Sequence, residues 1–162
     1  MSISATETSL RLAFVYNFTK FIQWPESRSA INLCVVGDQS GLQKELQSYR
    51  STLAAKQAKT VVKLTVLHFP KLDSSIPLKQ CQMLYLVSSS TLSSLPDVLP
   101  PGVVLVVNEP QVSDLRVSFS LIKTTDNRMG FLVNSAALKD AQVIVSSQLL
   151  TVAKNHQGDK KK

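Results

Sequence analysis

Histidine and cysteine are scarce in this chain, with two of each among 162 residues. A structural zinc site takes about four such ligands, and His68, His156, Cys34 and Cys81 are scattered along the sequence, which speaks against metal chemistry. The same scarcity bears on catalysis, because a nucleophilic serine or cysteine needs a base within hydrogen-bond reach. His156 falls in a polar tail, and His68 lies on an expected strand beside Phe69-Pro70. No glycine-x-serine-x-glycine elbow is present. Long apolar runs are missing too. The longest, such as Gly102 to Val107, are strand-sized against the roughly 18 residues needed to cross a bilayer. A soluble protein without enzymatic activity or cofactor is therefore expected. Met1-Ser2-Ile3-Ser4 has neither the basic nor the apolar region of an export signal. A mature chain written with a replacement methionine would look the same, so the compartment stays open at this point.

What is present describes an ordinary globular domain. Hydrophobic residues make up 44% and charged residues 18%, and a chain of this length buries about 68–70% of its unfolded surface. The net charge is +7, but Lys160, Lys161 and Lys162 form a terminal run and the other basic residues stand singly. A nucleic-acid binder concentrates them on one face, often among aromatic platforms. Neither feature is visible, so no nucleic-acid partner is expected.

Periodicity predicts a mixed α/β order. Leu10, Ala13, Phe14, Phe18, Phe21 and Ile22 recur at three- and four-residue spacing, which predicts a helix from Ser4 to Trp24. Ser4 with Glu7 fits a capping box, and Pro25 ends the helix. Asn17 falls inside the stripe and reads as a core amide. Ile31 to Val36 reads as a strand, Gly37 to Gly41 as a turn, and Leu42 to Ala54 as a helix opened by Ser40 and Gln43. That sequence opens a βαβ unit. Further strands are expected at Thr60 to Phe69, Met83 to Val87 and Val103 to Val107. A proline- and serine-bearing connection covers Pro70 to Lys79, and a short helix Thr91 to Leu99. Val117, Phe119 and Leu121 alternate, as do Met129, Phe131 and Val133, around the turn-forming Thr124-Thr125-Asp126-Asn127; this is a hairpin signature with one face buried. Helices at about Ser135 to Ala141 and Ser147 to Lys154 open at the capping residues Asn134 and Ser146. The fold class is α/β, a single compact domain with a mixed sheet flanked by helices. It spans residues 1–154 and is followed by a disordered basic tail at 155–162.

Two constellations remain as candidate sites. The turn carrying Gly37, Ser40 and Gly41 lies between a strand and a helix N-terminus, where backbone N–H groups can hold a phosphate. It lacks the three glycines of a dinucleotide fingerprint and the Lys-Ser/Thr pair of a P-loop, and Asp38 would repel an anion. Cys34 and Cys81 form no CxxC motif. They read either as two buried free thiols or as a disulfide closing a loop worth about 4 kcal/mol in the chain-entropy model.

Five segments, taken in order, resemble the YfiR family of bacterial periplasmic proteins. They are Ala13 to Pro25 (AFVYNFTKFIQWP), Leu33 to Asp38 (LCVVGD), Cys81 to Leu86 (CQMLYL), Asn127 to Asn134 (NRMGFLVN) and Ser146 to Ala153 (SSQLLTVA). The likeness covers about residues 8–154. It implies a periplasmic protein that tends to dimerise, with Cys34 paired to Cys81. It further implies a regulator that binds the periplasmic sensory domain of a membrane diguanylate cyclase and holds the cyclase inactive. Redox or envelope stress, or capture by an outer-membrane lipoprotein, would release it and raise cyclic di-GMP. Related domains serve as input modules of sensor kinases, so a small-molecule-sensing module acting on a kinase or transporter is the alternative. Family members commonly carry a glycine pair just before the first hairpin strand, where this chain has Asp114-Leu115, and some carry further cysteines that are missing here.

Overall fold

The computed structural model describes residues 5–24, 30–37, 44, 46–51, 63–71, 77–87, 95–108, 116–123 and 128–153. Helix α1 (Ala5–Lys20) is followed by a short strand β1 (Ile22–Gln23) and by β2 (Ala30–Val36). Helical residues 44 and 46–51 (α2) precede β3 (Lys63–Phe69). A 3₁₀ turn (Leu78–Gln80) then leads into β4 (Met83–Leu86), followed by β5 (Val104–Val107), β6 (Val117–Lys123) and β7 (Met129–Val133). Helix α3 (Ser135–Ala141), strand β8 (Ile144–Val145) and helix α4 (Ser147–Thr151) complete the order.

Six strands form the main sheet in the order β3-β2-β4-β5-β6-β7. Every pair from β3 to β6 is parallel, and β7 closes the edge antiparallel to β6. Counted from β2, the parallel part runs 2-1-3-4-5, a doubly wound order. Its central strands β4 and β5 are buried at every position, as a sheet covered on both faces requires. On one face Leu33, Val35, Met83, Tyr85, Val104 and Val106 pack with Leu12, Val15 and Phe18 of α1, Leu46 of α2, Leu138 of α3 and Leu149 of α4. On the other, Cys34, Val36, Leu84, Leu86, Leu105 and Val107 pack with Leu95, Leu78 and Leu99. The sheet is thus the shared wall of a single two-sided domain.

Helix α1 stops four residues before the predicted Trp24. The Phe21 N–H turns back onto the Phe18 carbonyl at 3.0 Å, and Ile22 and Gln23 instead pair antiparallel with Val145 and Ile144. The Ser146 N–H, donating to the Phe21 carbonyl at 2.8 Å, extends that pairing. The buried face also differs from the expected stripe. Leu12, Val15 and Phe18 are buried, Leu10 is 48% exposed, and Asn17 lies exposed rather than in the core. Apolar residues occur around most of this helix, so spacing alone does not single out one face.

The hairpin expected at β6–β7 is part of the main sheet. A register shift between Leu105 and Val106 sets Val117 opposite Leu105 and Phe119 opposite Val106. This is a bulge that re-aims side chains. Val117 accordingly joins the second core layer, while Phe119 and Leu121 join the first. There Phe119 stacks on Phe18 at 4.4 Å between centroids, and Phe131 meets Phe18 edge-on at 5.0 Å.

The caps match the sequence reading. Asn134 Oδ1 accepts from the Ala136 and Ala137 amides, at 3.1 and 3.4 Å. Ser146 Oγ accepts from Gln148 N at 3.1 Å. Helix α3 ends at Gln142, which adopts the left-handed conformation at φ 63°. The helix expected over Thr91 to Leu99 is not formed at residues 95–99, which are bends or irregular; residues 91–94 lie outside the described residues. The capping boxes expected at Ser4 and Ser40 also lie outside them, as does the tail at 155–162.

Candidate functional site

In doubly wound sheets ligands bind outside the carboxyl ends of the strands, where the strand order reverses. Here that place lies between β2 and β4. Gly37 leaves β2 with φ 154°, its N–H donating to the Phe69 carbonyl at 2.9 Å. The Gly37 carbonyl accepts from His68 Nε2 at 2.6 Å, so that ring nitrogen donates its proton to the backbone. Ser40 and Gly41 lie outside the described residues.

Beside Gly37, the carboxyl edge holds a buried polar network. Asn108, just after β5, accepts on Oδ1 from Tyr85 Oη at 2.6 Å and from Arg11 Nη1 at 3.2 Å. Arg11 Nη1 also reaches the Asn108 carbonyl at 3.3 Å. Asn108 Nδ2 donates to the Val87 carbonyl at 2.9 Å. Arg11, Tyr85 and Asn108 are all buried. Burial pushes the Tyr85 hydroxyl well above the ordinary tyrosine value, because the charged form would be poorly solvated. It is therefore a fixed neutral donor. Tyr49, likewise raised by burial, donates to the Leu12 carbonyl at 2.9 Å. These bonds tie α1 to the carboxyl edge of the sheet and α2 to α1. They bring no base to a nucleophile, and among the described residues no group of three His, Cys, Asp or Glu can hold a metal ion.

Cys34 and Cys81 are joined by a disulfide with Cα atoms 5.8 Å apart. Leu33 of β2 pairs with Met83 of β4, so the bridge links β2 to the residues leading into β4. Both cysteines are fully buried. A second polar cluster lies close by in sequence. Asn32 N donates to Gln82 Oε1 at 2.7 Å, Asn32 Nδ2 to the Gln80 carbonyl at 2.9 Å, and Trp24 Nε1 to the Gln82 carbonyl at 3.1 Å. The sequence reading missed Arg11, Tyr85, Asn108 and Gln82. A polar residue at the end of a buried strand is the only signal that would have pointed to Asn108.

The sequence model of the YfiR/HmsC-like family matches residues 8–154, which takes in both networks and the disulfide. The chain belongs to the YfiR/HmsC-like family. No curated protein matches it. The family is regulatory rather than catalytic and is periplasmic, and a buried disulfide fits that oxidising compartment. Among the described residues of this YfiR/HmsC-like chain, no helix is long and apolar enough to cross a membrane.

An open cleft lies at the opposite, amino-terminal edge of the sheet. It measures about 190 Å³ and is lined by Val98, Leu99, Pro100, Val103, Ala137 and Ala141, with Asp97, Arg116 and Asp140 around them. Sequence reasoning had no signal for it, because its walls come from residues about 40 positions apart in the chain.

Proposed function

We propose that this chain is a periplasmic regulator that binds the sensory domain of a membrane diguanylate cyclase and holds the cyclase inactive, lowering cyclic di-GMP signalling. The family match over residues 8–154 carries the reading. An inhibitor of this kind works by binding one state of its partner better than the other. Moving a partner from 1:99 to 99:1 takes about 5.5 kcal/mol of differential affinity. An interface of roughly 1,600 Å² in total supplies that when it has good anchor residues. A homodimer and release by an outer-membrane lipoprotein belong to the same reading.

The doubly wound strand order favours one second reading, a small-molecule-sensing input module acting on a sensor kinase or transporter, with Gly37 at the rim of the crevice. A pull-down from detergent-solubilised membranes of the source bacterium, read by mass spectrometry, separates the two. Specific retention of a membrane diguanylate cyclase is the expected result. Retention of a sensor kinase alone would favour the second reading.

A further inference from the structure

The cleft at the amino-terminal edge is built rather than incidental. One wall, the segment at residues 95–98, is pinned from beneath. Arg116 Nη1 donates to the Leu95 and Pro96 carbonyls, both at 3.2 Å, and Leu95 is buried in the second core layer. The other wall is α3, tied to the same loop by the Gly102 N–H donating to the Ala141 carbonyl at 2.7 Å. Ala137 and Ala141 stand one helical turn apart on α3 and line the notch, with the exposed Asp140 beside them on the same helix. Across from them Val98 is 80% exposed, the most exposed of the large apolar side chains among the described residues.

Size and charge define the occupant. A volume of about 190 Å³ is below the roughly 300–1,000 Å³ of small-molecule sites and suits one side chain presented by a protein. Asp97 and Asp140 are exposed at the cleft, and neither makes an ion pair among the described residues. Among the described residues Arg116 is the one basic member of the lining, and its Nη1 is turned to the loop carbonyls. The described lining of the cleft thus carries a net negative charge on a chain whose total is +7.

We infer that this cleft is an anchor pocket for a protein partner that presents an apolar side chain next to a lysine or arginine. The apolar side chain fills the notch between Val98 and the two alanines. The adjacent cation pairs with Asp97 and Asp140, which steer the encounter more than they tighten the complex. The identification of the occupant as a protein rests on the regulatory reading above.

Two measurements test it. In the first, N-acetyl-Leu-Lys-amide and N-acetyl-Leu-Glu-amide are titrated into the isotopically labelled protein and followed by NMR. Shifts centred on Val98, Val103 and Ala137, with several-fold tighter binding of the lysine peptide, are expected. An Asp97→Asn/Asp140→Asn double variant should erase that preference. Shifts elsewhere, or equal binding of both peptides, would overturn the pocket. The second measures the affinity of the cyclase's purified periplasmic domain for wild type and for Val98→Glu, a change at an exposed site that leaves folding intact. A loss of tenfold or more is expected. Equal binding of both proteins would overturn the pocket and leave the regulatory reading standing. Peptide binding in the cleft with no binding of the cyclase domain to wild type would overturn the regulatory reading instead.

Discussion

Asn108 accepts from Tyr85 and Arg11 and donates to Val87, so one side chain serves three partners in a buried setting. Replacing it with Leu strands a buried phenol and removes a partner of a buried guanidinium. Leaving buried donors unsatisfied costs about 1–3 kcal/mol each, so Asn108→Leu should lower unfolding stability in urea by about 2–4 kcal/mol. Tyr85→Phe removes one hydrogen bond and should cost about 1 kcal/mol. The tyrosines also set an alkaline limit. Their folded-state values lie above the ordinary 10.0, so the folded chain keeps protons that the unfolded chain loses. Their contribution is fully present below pH 10 and is lost as pH rises beyond it. Stability measured between about pH 9 and 11 should fall with pH above 10, and a Tyr49→Phe/Tyr85→Phe double variant should flatten that fall. At this scale little was legible in the sequence. Arg11 read as one of several scattered basic residues and Asn17 as a core amide. Arg11 is buried and Asn17 exposed; Arg11's partner Asn108 lies 97 residues away, and which face of α1 packs on the sheet is not set by local spacing.

Elements were more legible than their edges. Continuous apolar runs at Ile31 to Val36, Met83 to Val87 and Val103 to Val107 became the central parallel strands β2, β4 and β5, since both faces of such strands are covered. Caps at Asn134 and Ser146 are chemically local and were readable as such. The end of α1 was not, because β8, more than a hundred residues later, recruits Ile22 and Gln23 as its partner. The bulge before Phe119 was invisible for a similar reason, as it is defined only against β5. The disulfide acts at this scale as a staple between β2 and the start of β4. A Cys34→Ala/Cys81→Ala double variant should lose about 4 kcal/mol, the chain-entropy value for a loop of this length. Denaturant melts of the oxidised, reduced and double-variant proteins check this. Reduced and double-variant forms should agree closely.

For the whole molecule, the α/β class and the mixed sheet were readable from patterning, while the strand order was not. Pairing β2 with β4 rather than only with β3 depends on where the crossovers run, and spacing does not encode that. The two candidate surfaces lie at opposite edges of one sheet. The carboxyl edge carries the buried Arg11–Tyr85–Asn108 network, and the amino edge opens in the small cleft beside Asp97 and Asp140. An inhibitor that acts by contact needs an anchor pocket, the role proposed above for the cleft at the amino edge. As proposed above, the chain silences a membrane cyclase from the periplasm. The direct measurement is cellular cyclic di-GMP in a strain expressing the cyclase, with and without this protein exported to the periplasm. A several-fold drop on export, and no drop when the protein is kept in the cytoplasm, are the expected results. An unchanged level, with the exported protein folded and its disulfide formed, would contradict that proposal.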